Sequence, residues 1–217
     1  MSRARNVLIT GFEPFGADPS NPSWEAARQL DGETIAGHRV HARRLPVTFR
    51  GSRPVLENAI AELRPRLVIC TGLSGGRARV SIERVAINVI DARIPDNAGD
   101  QPVDAPVQAS GPAAYFSTLP IKAMLAALQA EEIPAEISQT AGTYVCNQIF
   151  YDLRHLLRRH RSVRAGFIHV PYSPELAAAH PGAPSLPVDV VAQALRTCLD
   201  VGLTARADLS LAAGAEQ

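Results

Sequence analysis

"RPVLENAIAELRPRLVICTG", residues 53–72, sets a helix-length amphipathic segment against a short apolar run, with Pro65 between them. Residues 53–64 read as a helix, and Pro54 falls near its start, where proline is tolerated. Residues 66–72, "RLVICTG", read as a strand. The same pairing recurs along the chain. "NVLIT" (6–10), "RVHARRL" (39–45), "RVAINVI" (84–90), "AEISQ" (135–139) and "AGFIHV" (165–170) are further strands. "SWEAARQL" (23–30), "PIKAMLAALQA" (120–130), "CNQIFYDLRHLLRR" (146–159) and "DVVAQALRTCLDVGLTA" (189–205) are further helices. Alternation of this kind predicts an α/β fold whose mostly parallel sheet is covered on both faces. In such sheets sites gather beyond the carboxyl ends of strands. Attention therefore falls on the segments after Thr10, after Thr71, around residues 140–146 and after Val170.

The rest of the composition narrows the classes. The chain has 217 residues, a size that predicts one domain over 1–217. It is 46% hydrophobic and 20% charged, as an ordinary soluble globule is. Lys and Arg number 22 against 21 Asp and Glu, a net charge of +1, which supplies no field for nucleic acid or an anionic membrane. Lys122 is the single lysine. No apolar run nears the ~20 residues of a membrane span. The start, "MSRARNVLITGF", reads as a first strand and not a secretory signal. Three cysteines without a CxxC pair argue against a disulfide framework or a zinc site, so no metal or cofactor is expected. A reducing cytoplasm is the expected compartment.

The three cysteines differ in setting. Cys70 lies in the continuous run "LVIC", and Cys198 follows Val191 and Leu195 at helical spacing. Both read as small buried residues, Cys198 in the core or a subunit interface. Cys146 follows the small-residue loop "TAGTY" and opens a helix whose buried stripe is Ile149, Phe150, Leu153 and Leu157. A helix N-terminus offers unpaired N–H groups and the positive end of a dipole. Both would lower a thiol pKa and favour the reactive thiolate, while from position alone an ordinary structural thiol is the commoner reading. The same N–H groups could hold an oxyanion.

A cysteine nucleophile needs a base. His155 and His160 read as solvated on the arginine-rich side of their helix, and His38, His41 and His180 have no notable context. His169, in "FIHV", sits at the end of an apolar strand just before "PYSP". Its ordinary role would be a core histidine bonded to backbone. Glu83, in "VSIERVAIN", reads either as a solvated charge at the start of a strand or as the partner that fixes the His169 tautomer. "GLSGGR" (72–77) could cradle a phosphate, but it lacks both P-loop and Rossmann spacing.

With these residues assembled, the chain resembles pyroglutamyl peptidase I (pyrrolidone-carboxylate peptidase), a family of cysteine peptidases. The resemblance runs from "LITGFEPFG" and "NPSWEAA" through "SGGRARVSIERVAINVIDARIPDNAGDQP" to "ISQTAGTYVCNQIFYDLRH" and "GFIHVPYSPE". Its two sharpest parts are the glutamate motif (Gly72, Gly75, Val80, Ser81, Glu83, Arg84, Asn88) and the cysteine motif (Ser138, Ala141, Gly142, Thr143, Tyr144, Val145, Cys146, Asn147). It implies a three-layer α/β/α sandwich with a mixed sheet, Cys146 as nucleophile, His169 as base and acid, and Glu83 orienting it. It also implies that Phe12 and Phe15 flank a pyroglutamyl ring, with Asn21, Tyr144 and Val145 nearby and Arg93 at or beside the site. Peptides with N-terminal pyroglutamate would be the substrates, and the members are soluble and form homo-oligomers, dimer or tetramer. Three positions depart from the family's habit: Leu73 stands where many relatives have Gln, Ile90 where they have an acid, and Tyr144 where Phe is common. Leu73 matters only if the side chain at that place, and not its backbone, grips the lactam.

Two other readings compete. A non-catalytic binder of blocked N-termini would not need the Glu83, Cys146 and His169 set. A phosphate-dependent glycosyl transferase, suggested by the layered sheet and the "GLSGGR" loop, would need phosphate and survive loss of Cys146.

Overall fold

The strand predicted over residues 66–72 is the middle one of the main sheet, and the helix predicted over residues 53–64 packs on one face of it. The computed structural model describes residues 6–214. Its elements in chain order are β1 (Asn6–Phe12), α1 (Pro22–Gln29), β2 (Thr34–Ile35), β3 (His38–Leu45), α2 (Ser52–Leu63), β4 (Leu67–Leu73), β5 (Val80–Glu83), β6 (Val85–Ile87), β7 (Ala114–Phe116), α3 (Ile121–Ala130), β8 (Ala135–Ser138), α4 (Val145–Leu156), β9 (Arg164–Val170), α5 (Pro174–Ala177) and α6 (Val188–Thr204).

Seven strands form one sheet in the order β2-β3-β1-β4-β9-β5-β8, and β6 pairs with β7 separately. β3, β1, β4 and β9 run parallel, while β5 is antiparallel to β9 and parallel to β8. The central strands are apolar on both faces because both faces are covered. Leu67, Ile69, Ile168 and Val170 point into one core with Ala26, Met124, Leu128 and Leu195 of α1, α3 and α6. Val68, Cys70, Ala165 and Phe167 point into the other with Leu56 of α2 and Ile149, Phe150 and Leu153 of α4. This is an α/β/α sandwich with a mixed sheet.

One predicted strand needs correction. "RVAINVI" is not a single strand: β5 comes earlier, at 80–83, and only residues 85–87 form β6, in the small second sheet. The cause is the two-residue period of a strand. Val80 and Ile82 fill the first core, so Ser81 and Glu83 must face the α4 side. Glu83 therefore ends a central strand fully buried and is not a solvated charge.

No helix among the described residues is long and apolar enough to cross a membrane.

Candidate active site

The site is built on the edges shared by β4, β9 and β5. His169 of β9 is the register partner of Gly72 on β4 and of Ser81 on β5. Register partners in adjacent strands present their side chains to the same face. At Gly72 there is no side chain, and the Cys146 sulfur occupies the space: a Cβ there would lie 2.7 Å from Sγ and 2.9 Å from the Phe167 ring. The bare backbone of Gly72 thus brings the thiol against the strand that neighbours His169. Two residues beyond Ser81, Glu83 turns back to the same face, and its Oε1 accepts a 2.7 Å hydrogen bond from His169 Nδ1. That bond leaves Nε2 as the ring's other nitrogen, free of proton in the neutral tautomer.

Cys146 stands in the first turn of α4, one residue inside its start, with Tyr144 as the extended N-cap. The helix start is pinned by Asn147, whose side chain accepts from Ile87 N–H and donates to the carbonyls of Ile87 and Val89. The predicted stripe of Ile149, Phe150, Leu153 and Leu157 is buried. Cys146 keeps partial exposure, whereas Cys70 and Cys198 are buried as expected.

The electrostatics correct one expectation. The helix start predicts an acidified thiol, yet the Cys146 thiol is pushed up to about 12, first by burial and then by the Glu83 carboxylate, against the pull of the Arg77 guanidinium. Burial also holds His169 below the usual histidine range, although Glu83 draws it upward. Both directions favour the neutral forms of the two groups. The arrangement suits transfer of the thiol proton to the imidazole during attack, and not a preformed thiolate–imidazolium pair.

In front of Cys146 lies a cleft of roughly 670 Å³. Phe12, Phe15, Asn21, Leu73, Arg93, Tyr144 and Val145, all expected from the sequence, line it, while His169 and Glu83 are not among the lining residues. Val47 and Ile94 add further apolar wall. Phe15 and Phe49 meet the Tyr144 ring edge-on, at 5.8 and 5.1 Å between centroids. The Tyr144 hydroxyl finds its partner in the Pro95 carbonyl at 2.9 Å. Phe12 is buried, with its ring in the α4-side core. The Asn21 side chain is already engaged: it caps α1 by accepting from Ser23 and donates to the Glu13 carbonyl. Arg93 is exposed.

Several participants gave no clear sequence signal. Arg77 donates to Glu83 Oε1 at 2.8 Å, so the "GLSGGR" arginine turns inward to a carboxylate. Gly75 allows the Tyr172 ring to come close, since a Cβ would lie 2.5 Å from its hydroxyl. His180 is stacked on Tyr172 at 4.4 Å and bonded to Asp18, and His155 is bonded to the Tyr115 hydroxyl and is not simply solvated. Among the described residues no group of three or more His, Cys, Asp or Glu side chains is placed to hold a metal ion.

Comparison with known proteins agrees with this architecture. The family described as pyroglutamyl peptidase matches residues 5–205. The pyrrolidone-carboxylate peptidase of Escherichia fergusonii is 56% identical over 211 residues, covering 97% of this chain and 99% of that one. That of Klebsiella pneumoniae is 56% identical over 209 residues, 96% and 98% of the two chains. The crystal structure of pyroglutamyl peptidase I from Bacillus amyloliquefaciens superposes with a TM-score of 0.93 at 42% identity, covering 97% of this chain and all of that one. With a match of this identity over nearly its whole length, the chain belongs to the pyroglutamyl peptidase family of enzymes.

Proposed function

We propose that this chain removes N-terminal pyroglutamate from peptides through a thioester acyl-enzyme, with Cys146 as nucleophile, His169 as base and acid, and Glu83 orienting the imidazole. One observation carries the reading. The Cys146 sulfur lies on bare Gly72, whose register partner His169 is held by a buried carboxylate through Nδ1.

Pyroglutamate is an uncharged five-membered lactam, which suits a small apolar pocket with aromatic walls. Phe15, Tyr144, Val145 and Val47 supply such walls beside the thiol. In acylation, Sγ forms a bond to the carbonyl carbon that joins pyroglutamate to the next residue. The thiol proton passes to His169 Nε2, and the oxygen takes the negative charge beside the N–H groups of the first turn of α4. Collapse breaks the C–N bond, and His169 returns the proton to the departing amine. Water then attacks the thioester with His169 as base, releasing pyroglutamate and restoring the thiol. Glu83 holds Nδ1–H throughout and stabilises the imidazolium as it forms.

The test is turnover of a pyroglutamyl chromogenic amide by the wild-type protein and by Cys146→Ser, with and without a thiol alkylator. The reading expects activity that vanishes with the substitution and with alkylation. Activity that survives both rejects it.

A further inference from the structure

The "GLSGGR" loop ends in a side chain that the reaction scheme does not use. Arg77 Nη1 donates to Glu83 Oε1 at 2.8 Å, and Nη2 donates to the Thr140 carbonyl at 3.0 Å. The first contact is to the same carboxylate oxygen that accepts from His169 Nδ1. The second is to the loop that leads into Cys146. Oε2 of Glu83 is buried with no hydrogen-bond partner among the described residues, so both donors converge on one oxygen. The Arg77 side chain is 24% exposed while that of Glu83 is fully buried, which makes arginine the carboxylate's link to the surface.

We propose that Arg77 is a positioning residue of this site: its guanidinium holds the Glu83 carboxylate in its buried place and ties it to the loop before Cys146, so that His169 stays in the tautomer with Nε2 free. This rests on the assignment of Cys146, His169 and Glu83 given above. The guanidinium compensates a carboxylate that is fully buried with one oxygen unbonded. Without Arg77 the carboxylate would raise the basicity of His169 unopposed. That moves loss of activity on acidification to higher pH. Glu83 on β5 and Arg77 in the β4–β5 loop act on His169, and the same two groups with Cys70 on β4 act on Cys146 of α4. Glu136 on β8 stands one strand further, bonded to Ser81 Oγ and 4.0 Å from Arg79. Of these, Arg77 is the cation in contact with Glu83.

The pH profile of kcat/KM reports groups of the free enzyme. It is measured on a pyroglutamyl amide for the wild type, Arg77→Met, Arg77→Gln and Arg77→Lys. The acid limb of Arg77→Met moves up by about one pH unit or more, the size of effect a charge at this distance exerts. Arg77→Gln moves it the same way and decides the matter if Arg77→Met does not fold. Arg77→Lys, which restores the charge without the forked donor, brings the limb part of the way back. A limb that superimposes on the wild type in the uncharged variants overturns the proposal, even if activity is uniformly lower. No return with lysine overturns it equally, since the effect would then be structural. If Cys146→Ser is inactive while the limb is unmoved, only the role of Arg77 fails. If Cys146→Ser and Glu83→Gln both keep wild-type activity, the assignment beneath it fails as well.

Discussion

The first turn of α4 and the middle of α6 each carry a cysteine, and the two thiols are alike in one respect. Both are pushed up to about 12, with burial as the largest cause. Cys198 is fully buried among Val191, Leu195 and Leu199. Cys146 faces a bare glycine, a cleft and the strand that bears His169. On the proposed reading of Cys146, acidity at rest does not separate a structural thiol from a reactive one. The difference lies in what can accept the proton, and in whether substrate can arrive.

Substitutions at the two places should therefore part company. Cys146→Ser is expected to lower kcat/KM by about 10⁴-fold or more, because loss of a nucleophile in such a set removes nearly all its chemistry. Its melting temperature should change little. Cys198→Ser should do the reverse: it buries a hydroxyl among apolar groups at a cost of about 1–3 kcal/mol and leaves kcat/KM of the folded enzyme near wild type. Thermal melts beside kinetics check both. The next effect tests the cleft, which Cys198 lacks. Prolyl amides carry a charged ring nitrogen and no ring carbonyl, so turnover of pyroglutamyl amides should exceed theirs by at least about 10³-fold. Comparable kcat/KM values would show the pocket misread.

A smaller effect probes the close approach of thiol and strand. Gly72→Ala places a methyl 2.7 Å from Sγ. Displacing the sulfur by a fraction of that distance should cost about 10²-fold in kcat/KM. Unchanged kinetics would mean that the Gly72 contact does not set the thiol's position. The smallest concerns the cleft wall. Tyr144→Phe removes the hydrogen bond to Pro95 but keeps the ring, and the site is exposed to water. It should change kcat/KM by about fivefold or less, matching the ~1 kcal/mol of one such bond.

The two regions also show what could be read from sequence. Residues 67–70 and 165–168 are continuous runs without a polar side chain, and the sheet's centre follows from them. Cys146 was marked by its loop and helix start, and Cys198 by helical spacing. Less visible was anything fixed by pairing across strands. Residues 84–90 look like one strand because Val85, Ala86 and Ile87 are apolar, yet β5 ends at Glu83, and the chain leaves the main sheet there. The antiparallel register of β5 on β9 brings Glu83 to His169, and no local pattern encodes it. The inward turn of Arg77 and the stacking of His180 on Tyr172 are contacts between distant segments, invisible for the same reason. The expected lowering of the Cys146 pKa failed because it weighed the helix start without burial and without Glu83.

The central claim is that Cys146 rests as a neutral thiol and is activated by His169 during attack. Ultraviolet thiolate absorbance, taken as the difference between wild type and Cys146→Ser in the free enzyme, reads this directly. Across about pH 5 to 9, a range that spans ordinary histidine and cysteine titration, the account predicts no thiolate step belonging to Cys146. A step with an apparent pKa below neutrality would contradict it and establish a preformed thiolate–imidazolium pair.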